Sequence, residues 1–428
     1  MTEPSPSPRR PLHLLISTGE VSGDLQGAML VEALYQQAEQ HNLALKISAL
    51  GGERMQAAGA TLLANTSAIG SIGLFESLPY VRATRRIQQL TQQHLRHSLP
   101  DLVVMIDYFA PNLALGQFLR RQFPDLPTVY YIAPQEWVWS LSPRNTQQIL
   151  AITDRLLAIF PAEAAYYQKH GGQVTWVGHP LLDRMQQAPS RSEARAALGL
   201  GEVPGDTPDS EANSSLAVAL IPASRRQELT YVLPVILAAA QQIQAELPQV
   251  QFWIPIALER YYEPIQQAVQ QAGLRARLVR PSTASSQTVI AAADLVIAKS
   301  GTVNLETALL NVPQVVMYRV HPVTAWIAEH LLKFSAPFIS PPNLVMMQPI
   351  VPEFLQYEAT AEAIAAASLN LLRHPEQRRE MRANYEQMRQ KLGEPGVCQR
   401  AAAAIFELLD QKSTHAPGQL RSSQAANF

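Results

Sequence analysis

The sequence predicts an α/β protein with two doubly wound parallel sheets. Short apolar, β-branched runs alternate with helical stretches, as expected when strands are buried on both faces. This alternation stops over 187–215, which is rich in Ser, Pro, Gly and acidic residues, and then restarts. The chain has 428 residues, more than one hydrophobic core usually organises. We therefore predict an N-terminal domain over 11–186, a linker over 187–215, a C-terminal domain over 216–411 facing it across a cleft, and a disordered tail over 412–428.

The predicted strands come in two sets. The first set is Leu12–Ser17, Ala44–Ser48, Asp101–Asp107, Thr128–Ala133, Arg155–Phe160 and Val174–Gly178. Helical patterns such as Leu25–Gln40 and Ala83–His97 separate most of these strands. The second set is Leu216–Pro222, Gln251–Ala257, Arg275–Arg280, Asp294–Ser300 and Pro313–Arg319. Because ligands of doubly wound sheets bind beyond the carboxyl ends of the strands, the informative residues should follow these runs.

Composition excludes several classes of protein. Lys plus Arg (34) nearly equals Asp plus Glu (35), so no global field recruits nucleic acid. The single cysteine, Cys398, cannot form an internal disulfide, and no Cys/His spacing is typical of zinc sites, which favours a reducing cytoplasm. The first apolar run stops at Gly19, too short for a secretory signal, and no run reaches the roughly 18 apolar residues of a spanning helix. We expect any membrane contact to be peripheral.

The stretch STGEVSGDLQGA, at Ser17–Ala28, follows the first strand and opens a helix. Such a turn presents unpaired backbone N–H groups, which suit an anion or a sugar. Glu20 and Asp24 would repel a phosphate, however. The turn therefore favours binding of hydroxyl groups, or removal of a proton.

Two motifs in the second half favour a nucleotide diphosphate. PASRRQE carries Ser224, Arg225 and Arg226 from a strand into a helix, where backbone donors, the helix dipole and guanidinium groups suit phosphates. The alternative is an ordinary capped helix start with solvated arginines.

The second of these motifs is SGTVNLE, which follows the strand that ends at Ser300. Ser300 and Thr302 can cap the helix, and Gly301 allows a ligand to approach closely. Glu306 can accept hydrogen bonds from both hydroxyls of a ribose, or it can merely complement the helix dipole. Together the two motifs describe a nucleotide-diphosphate site better than either does alone.

At this point the chain resembles the lipid-A-disaccharide synthase family, whose fold is GT-B. The motifs that carry the resemblance fall in the family's order and spacing over about Leu12 to Leu409. They are GEVSGDLQGA, GGERMQAAG, IGLFESLP, the segment after DLVVMID, YYIAPQEWVWS, VGHPLLD, PASRRQE, SGTVNLE and PPNLVMMQPIVPEFLQ.

The resemblance implies a reaction and its partners. UDP-2,3-diacylglucosamine would be joined to 2,3-diacylglucosamine 1-phosphate (lipid X), releasing UDP and forming the β-1,6-linked disaccharide of lipid A. Such an inverting transfer needs a base for the acceptor hydroxyl and groups that stabilise the departing UDP. Neither a cofactor nor a metal is expected. The implied location is the cytoplasm, peripherally on the inner membrane.

The resemblance also assigns residues to the two substrates. Asn343 joins Ser224, Arg225, Ser300, Gly301, Thr302 and Glu306 on the donor side. The acceptor side receives Ser22, Gly23, Asp24 and Asn112. Asp107 is the preferred base and Glu20 the alternative, while an N-cap is the competing structural role of Asp107.

Two departures from the family pattern matter. Ala223 replaces a glycine whose missing Cβ lets the backbone approach the phosphates. The segment IDYFAPN lacks the family's second aspartate, so that Asp107 is the lone carboxylate of that segment.

A lipid substrate requires an apolar entry near the membrane. Phe75, Leu78, Tyr80 and Val81 adjoin three basic residues, Arg82, Arg85 and Arg86. This mixture can rest on an anionic leaflet, although a core-facing helix with a solvated basic side explains it too.

Three alternatives of different kinds remain. A GT-B enzyme for another acceptor would keep the C-terminal motifs and change the N-terminal ones. A UDP-N-acetylglucosamine 2-epimerase would need no acceptor, and a non-catalytic relative would bind acylated glucosamine without releasing UDP. The sequence leaves open the acyl-chain length, the effect of Ala223 and the oligomeric state, for which a homodimer is one candidate.

Overall fold

The chain forms two compact units. The structure, a computed structural model, describes residues 10–66, 81–138, 143–201, 216–222, 226–321 and 337–414. Unit 1 comprises Met1–Pro180 and Glu394–Phe428, and unit 2 comprises Leu181–Gly393. The change of unit after Pro180 precedes the predicted linker, and the C-terminal segment returns to unit 1 rather than ending in the second domain.

Unit 1 is built on a seven-stranded parallel sheet. Its strands are β1 Leu12–Ser17, β2 Leu45–Gly51, β3 Thr61–Asn65, β4 Leu102–Ile106, β5 Thr128–Tyr131, β6 Arg155–Ala158 and β7 Val174–Trp176. Their order is β3-β2-β1-β4-β5-β6-β7. Its helices are α1 Glu20–Gln40, α2 Glu53–Ala57, α3 Val81–His97, α4 Phe109–Gln122, α5 Pro143–Ala151 and α6 Pro161–Lys169. The central strands β1 and β4 are almost wholly buried, as their continuous apolar runs predict.

Unit 2 repeats this plan with six parallel strands. They are β8 Ala217–Ile221, β9 Gln251–Pro255, β10 Ala276–Val279, β11 Leu295–Lys299, β12 Gln314–Tyr318 and β13 Glu353–Leu355, in the order β10-β9-β8-β11-β12-β13. The helices that begin the unit are α7 Leu181–Met185, α8 Arg191–Ala197, α9 Arg226–Tyr231, α10 Leu233–Glu246, α11 Tyr262–Gln271 and α12 Ser286–Ala292. They are followed by α13 Thr302–Leu309, α14 Pro341–Met346, α15 Ala361–Arg373 and α16 Pro375–Leu392.

The last helix, α17 Val397–Thr414, belongs to unit 1 and packs along α1. The ring of Phe406 stacks on that of His41, with 5.8 Å between centroids. Arg400 Nε donates to the Val177 carbonyl at 2.9 Å, and Arg155 Nη1 contacts Glu407 Oε2 at 2.8 Å. The C-terminal helix is therefore part of the first core and not an appendage.

Each sheet reverses its strand order at one place. In unit 1 the reversal lies between β1 and β4, and in unit 2 between β8 and β11. In doubly wound folds the crevice beyond the carboxyl ends of such a strand pair is where ligands bind. The predicted site residues follow these four strands, apart from Asn343 on α14.

Candidate active site

The turn after β1 is closely packed, and its glycines are required. A Cβ at Gly23 would lie 2.0 Å from Thr18 Oγ1, and one at Gly19 would lie 2.6 Å from the Tyr108 ring. The backbone of α1 therefore begins directly against the segment that follows β4. Glu20 is the first residue of α1, and its side chain lies outside the described residues.

Asp24 faces the protein. One carboxylate oxygen accepts hydrogen bonds from the backbone N–H groups of Gly52 (2.7 Å) and Met55 (3.2 Å), and the other from Arg54 (3.2 Å). The residue is 5% exposed. Its carboxylate thus caps the start of α2 and joins that helix to α1. This geometry supports a positioning role for Asp24, whereas half-buried Ser22 lies on the same turn of α1.

The side-chain hydrogen bonds of Asn112 are also all made within the protein. Its Oδ1 accepts from Ser17 Oγ at 2.7 Å, and its Nδ2 donates to the carbonyls of Ile106 (3.1 Å) and Asp107 (2.8 Å). The residue is fully buried. It therefore ties the end of β1 to the end of β4, at the reversal of strand order, and fixes the backbone that carries Asp107.

Asp107 is exposed at the end of β4, where the backbone takes the left-handed conformation at two successive residues. Asp107 and Tyr108 have φ values of 47° and 50°, both left-handed. Such strain, costing about 1–3 kcal/mol per residue, tends to accumulate at functional sites. The Asp107 carbonyl accepts hydrogen bonds from Tyr130 Oη and Asn112 Nδ2, each at 2.8 Å. The N-cap of α4 is Tyr108, so the alternative role of Asp107 as a helix cap is wrong.

Two buried groups lie near the ends of neighbouring strands. Burial lowers the pKa of His179 to about 3. Burial also raises the pKa of Glu163 to about 8, although its Oε2 accepts from the backbone N–H of Ile159 at 2.8 Å. Both side chains are therefore predominantly uncharged at neutral pH.

In unit 2 the SGTVNLE motif opens α13 as predicted, but with different capping. Ser300 Oγ donates to the Ile339 carbonyl at 2.6 Å, so the expectation that it caps the helix is wrong. Gly301 is the N-cap residue, and its N–H donates to Asn304 Oδ1 at 2.8 Å. Thr302 is the exposed first residue of the helix.

Glu306 is buried on α13 and paired with a cation. Its Oε1 lies 2.6 Å from Arg184 Nη1, and the two side chains are 10% and 26% exposed. Arg184 is on α7 of the same unit. Arg184 is not among the predicted site residues, although it follows directly on the VGHPLLD motif.

An ion pair that was not predicted from the sequence joins the PASRRQE motif to the strand that precedes SGTVNLE. Glu228 of PASRRQE, on α9, lies 2.7 Å through Oε1 from Nζ of Lys299, the last residue of β11. Both side chains are nearly buried, at 11% and 14% exposure. The pair spans the strand reversal between β8 and β11. The signal that could have revealed it is a lysine at the end of β11 together with a glutamate in the motif that follows the neighbouring strand, β8.

Asn343, on α14, is fully buried and satisfied within the protein. Its Nδ2 donates to the Val351 carbonyl and to Glu353 Oε2, both at 3.0 Å, and its Oδ1 accepts from Val351 N–H at 2.9 Å. This geometry supports a role for Asn343 in positioning the turn at α14. Ser224 and Arg225, which are predicted to contact the donor, lie outside the described residues, as do Ala223 and the apolar positions before Val81.

The described residues contain neither a cluster of metal-binding side chains nor a membrane-spanning helix. No group of three or more His, Cys, Asp or Glu side chains comes together there as metal ligands would. No helix among them is long and apolar enough to cross a bilayer.

Two parallel-sheet units with motifs at both strand reversals define the GT-B class of fold. Solved structures share this fold. Staphylococcus aureus MnaA, from a structure titled as a UDP co-structure, has a TM-score of 0.64 at 13% identity, with 93% of this chain and 97% of that one covered. Acinetobacter baumannii MurG has a TM-score of 0.55 at 14% identity, with 93% and 100% covered.

The chain belongs to the lipid-A-disaccharide synthase family. The family described as lipid-A-disaccharide synthetase matches residues 14–408. The lipid-A-disaccharide synthase of Synechocystis sp. is 52% identical over 405 residues, which cover 94% of this chain and 100% of that protein. The family resemblance, the fold class and the assignment as a lipid A glycosyltransferase are therefore confirmed.

Proposed function

We propose that the protein transfers diacylglucosamine from UDP-2,3-diacylglucosamine to 2,3-diacylglucosamine 1-phosphate. The acceptor 6-hydroxyl attacks C1 of the donor sugar, the C1–O bond to the diphosphate breaks, and UDP leaves with the bonding electrons. The hydroxyl proton passes to a carboxylate of the protein. The observation that carries this proposal, together with family membership, is the placement of the motifs at the strand reversals of both sheets.

The donor is assigned to unit 2. In this proposal Glu306 accepts hydrogen bonds from the ribose hydroxyls. The segment containing Ser224 and Arg225 contacts the diphosphate. The Lys299–Glu228 pair and the Asn343 network support this role by holding α9, β11 and α14 in place. The start of α13, with Ser300, Gly301 and Thr302, offers its dipole and backbone donors to the leaving group.

The acceptor is assigned to unit 1, with Asp107 as the base. The left-handed backbone at Asp107 is held by Asn112 and Tyr130, which supports a preorganised carboxylate. Ser22 and Gly23, on the first turn of α1, are the proposed contacts to acceptor hydroxyls, and Asp24 positions that turn. Glu20 is the alternative base.

The test is synthesis of the disaccharide. Purified protein is incubated with both diacyl substrates, and the product is identified by mass spectrometry. Formation of disaccharide 1-phosphate with an equal amount of UDP supports the proposal. Turnover of UDP-N-acetylglucosamine alone would favour an epimerase. Acceptor binding without UDP release would favour a non-catalytic relative.

Replacing Glu306 by alanine should weaken UDP binding about 10- to 100-fold. A charge-assisted hydrogen bond contributes about 1.5–3 kcal/mol, so the expected loss corresponds to one of the two bonds proposed between Glu306 and the ribose. Calorimetry with UDP and with 2′,3′-dideoxy-UDP checks the assignment. The wild type should prefer UDP, and the variant should not distinguish the two. An Arg184→Gln variant is the control for simple loss of the ion pair, and it should keep the preference for UDP. A Glu306 variant that still discriminates would refute the ribose contact.

We further propose that the protein is cytoplasmic and attaches peripherally to the inner membrane. Arg82, Arg85 and Arg86 are exposed on α3. A basic residue near an anionic surface contributes about 1 kcal/mol, and salt screens this attraction within about 8 Å.

Changing these three arginines to glutamine should weaken binding to anionic vesicles at least about 10-fold, and high salt should release the wild type. Sedimentation with phosphatidylglycerol vesicles measures both effects. The same change at three other exposed arginines, Arg121, Arg275 and Arg379, is the matched control. Equal losses in the two triple variants, or binding indifferent to salt, would contradict a specific attachment through α3.

A further inference from the structure

Unit 1 contains a cavity between α3, α4 and the carboxyl ends of β1 to β4. Its volume is about 60 Å³. A water-sized group needs about 10–15 Å³ by this measure, so there is room for a segment of about four to six heavy atoms. The apolar part of the wall is formed by Leu50, Ile87, Tyr108, Pro111, Ala114 and Leu115.

Four hydroxyl groups of the wall, those of Ser17, Thr18, Thr66 and Thr91, donate hydrogen bonds within the protein, while Thr84, Gln88 and Gln92 add further polar groups to the wall. Thr66 Oγ1 donates to the Thr18 carbonyl at 2.6 Å, and Thr91 Oγ1 donates to the Ile87 carbonyl at 2.8 Å. Ser17 Oγ donates to Asn112 Oδ1 at 2.7 Å. With these donors engaged, the cavity can accept a hydrocarbon without leaving those hydroxyl hydrogens unpaired.

The wall of the cavity differs in charge from the neighbouring surface of the protein. None of the wall residues in the described part of the chain is charged. On the same helix α3, by contrast, Arg82, Arg85 and Arg86 occupy exposed positions, while Thr84, Ile87 and Thr91 line the cavity at helical spacing. A phosphate or an ionised sugar would find no counter-charge among these wall residues, whereas an apolar chain needs none.

The cavity begins beside the proposed base. Tyr108 lines the wall and follows Asp107 directly, while Asp107 itself is exposed. A sugar whose hydroxyl approaches Asp107 therefore stands at the edge of the cavity, and a substituent on that sugar can enter it.

We propose that this cavity binds one acyl chain of the acceptor and selects its length. The inference rests on the proposed function for the identity of the acceptor. The sugar stays at the strand edge near Asp107, and one chain passes between α3 and α4. Ala114, on the wall from α4, is a specificity-determining residue because a larger side chain there would fill the space a chain occupies.

The first experiment compares Ala114→Leu with Ala83→Leu. Ala83 is exposed on α3, so the control adds the same atoms outside the cavity. Each buried methylene is worth about fourfold in affinity, so displacing up to three should raise the acceptor KM about 10- to 60-fold for long chains. The KM for acceptors that carry acetyl groups, which are too short to fill the cavity, and the affinity for UDP should stay near wild type. Equal losses at both chain lengths, or identical behaviour of the two variants, would overturn the proposal.

A second measurement does not depend on catalysis or on the folding of a variant. A lipid X analogue with a diazirine in its acyl chain is photolysed on the wild-type protein, and labelled peptides are mapped. Labelling within 81–97 or 109–122, competed by unlabelled lipid X, supports the acyl site. Labelling found only outside these two ranges would overturn it. So would labelling that unlabelled lipid X does not reduce. Absence of disaccharide in the wild type would instead refute the proposed function, and the labelling result would still decide the cavity.

Discussion

Replacing Asp107 by asparagine should lower turnover about 10²- to 10⁴-fold at saturating substrates, which is the usual contribution of general base catalysis. Asparagine keeps the size and polarity of the side chain but cannot take the acceptor proton. The affinity for UDP should remain unchanged because the donor is assigned to unit 2.

The fold should survive this change. The hydrogen bonds from Tyr130 and Asn112 reach the Asp107 carbonyl and do not involve its carboxylate. Asparagine also tolerates the left-handed conformation that Asp107 adopts. The melting temperature, measured beside turnover, should therefore stay close to wild type.

Glu20→Gln is the comparison that decides between the two candidate bases. Near-normal turnover in the Asp107 variant with a collapse in the Glu20 variant would move the base to the first turn of α1. Near-normal turnover in both would place the catalytic centre elsewhere.

The largest effect on stability is expected at Asp24. Alanine there would remove the acceptor for three backbone N–H groups, those of Gly52, Arg54 and Met55. A buried donor left without a partner costs about 1–3 kcal/mol, and Gly52 and Met55 are both buried. We expect the free energy of unfolding to fall by about 3 kcal/mol or more.

Urea unfolding followed by circular dichroism measures this loss. Glu32→Ala, at an exposed position on the same helix, is the control and should change stability by less than about 0.5 kcal/mol. Asp24→Asn keeps one acceptor oxygen and should fall in between. A loss in Asp24→Ala no greater than in the Glu32 control would show that the carboxylate does not stabilise the junction of α1 and α2.

The sequence predicts the central strands well because burial on both faces produces continuous apolar runs. β1 agrees in full, and β4, β8 and β11 agree to within one residue at each end. The strands it misses are β3 and β13, at the edges of the two sheets. Both are short and only partly buried, so neither shows a continuous apolar run.

The candidate site was harder to predict than the strands. Motif order places the residues at the correct strand ends, but it does not show which polar groups face a ligand. Asp24, Asn112 and Asn343 are satisfied by partners that lie 5–95 residues away in the chain, and only the folded structure reveals these partners. The pairing of Lys299 with Glu228 joins the end of β11 to α9 in the same way.

The return of α17 to unit 1 has a consequence for how the chain is made. Leu181–Gly393, the 213 residues of unit 2, must be synthesised before α17 emerges to cover α1. At about 5–20 residues per second, unit 1 waits roughly 10–40 s on the ribosome with part of its core open. Unit 2, which is continuous in sequence, has no such delay. The nascent protein therefore completes its second half first, and during that interval its exposed α1 surface is the natural target for chaperones.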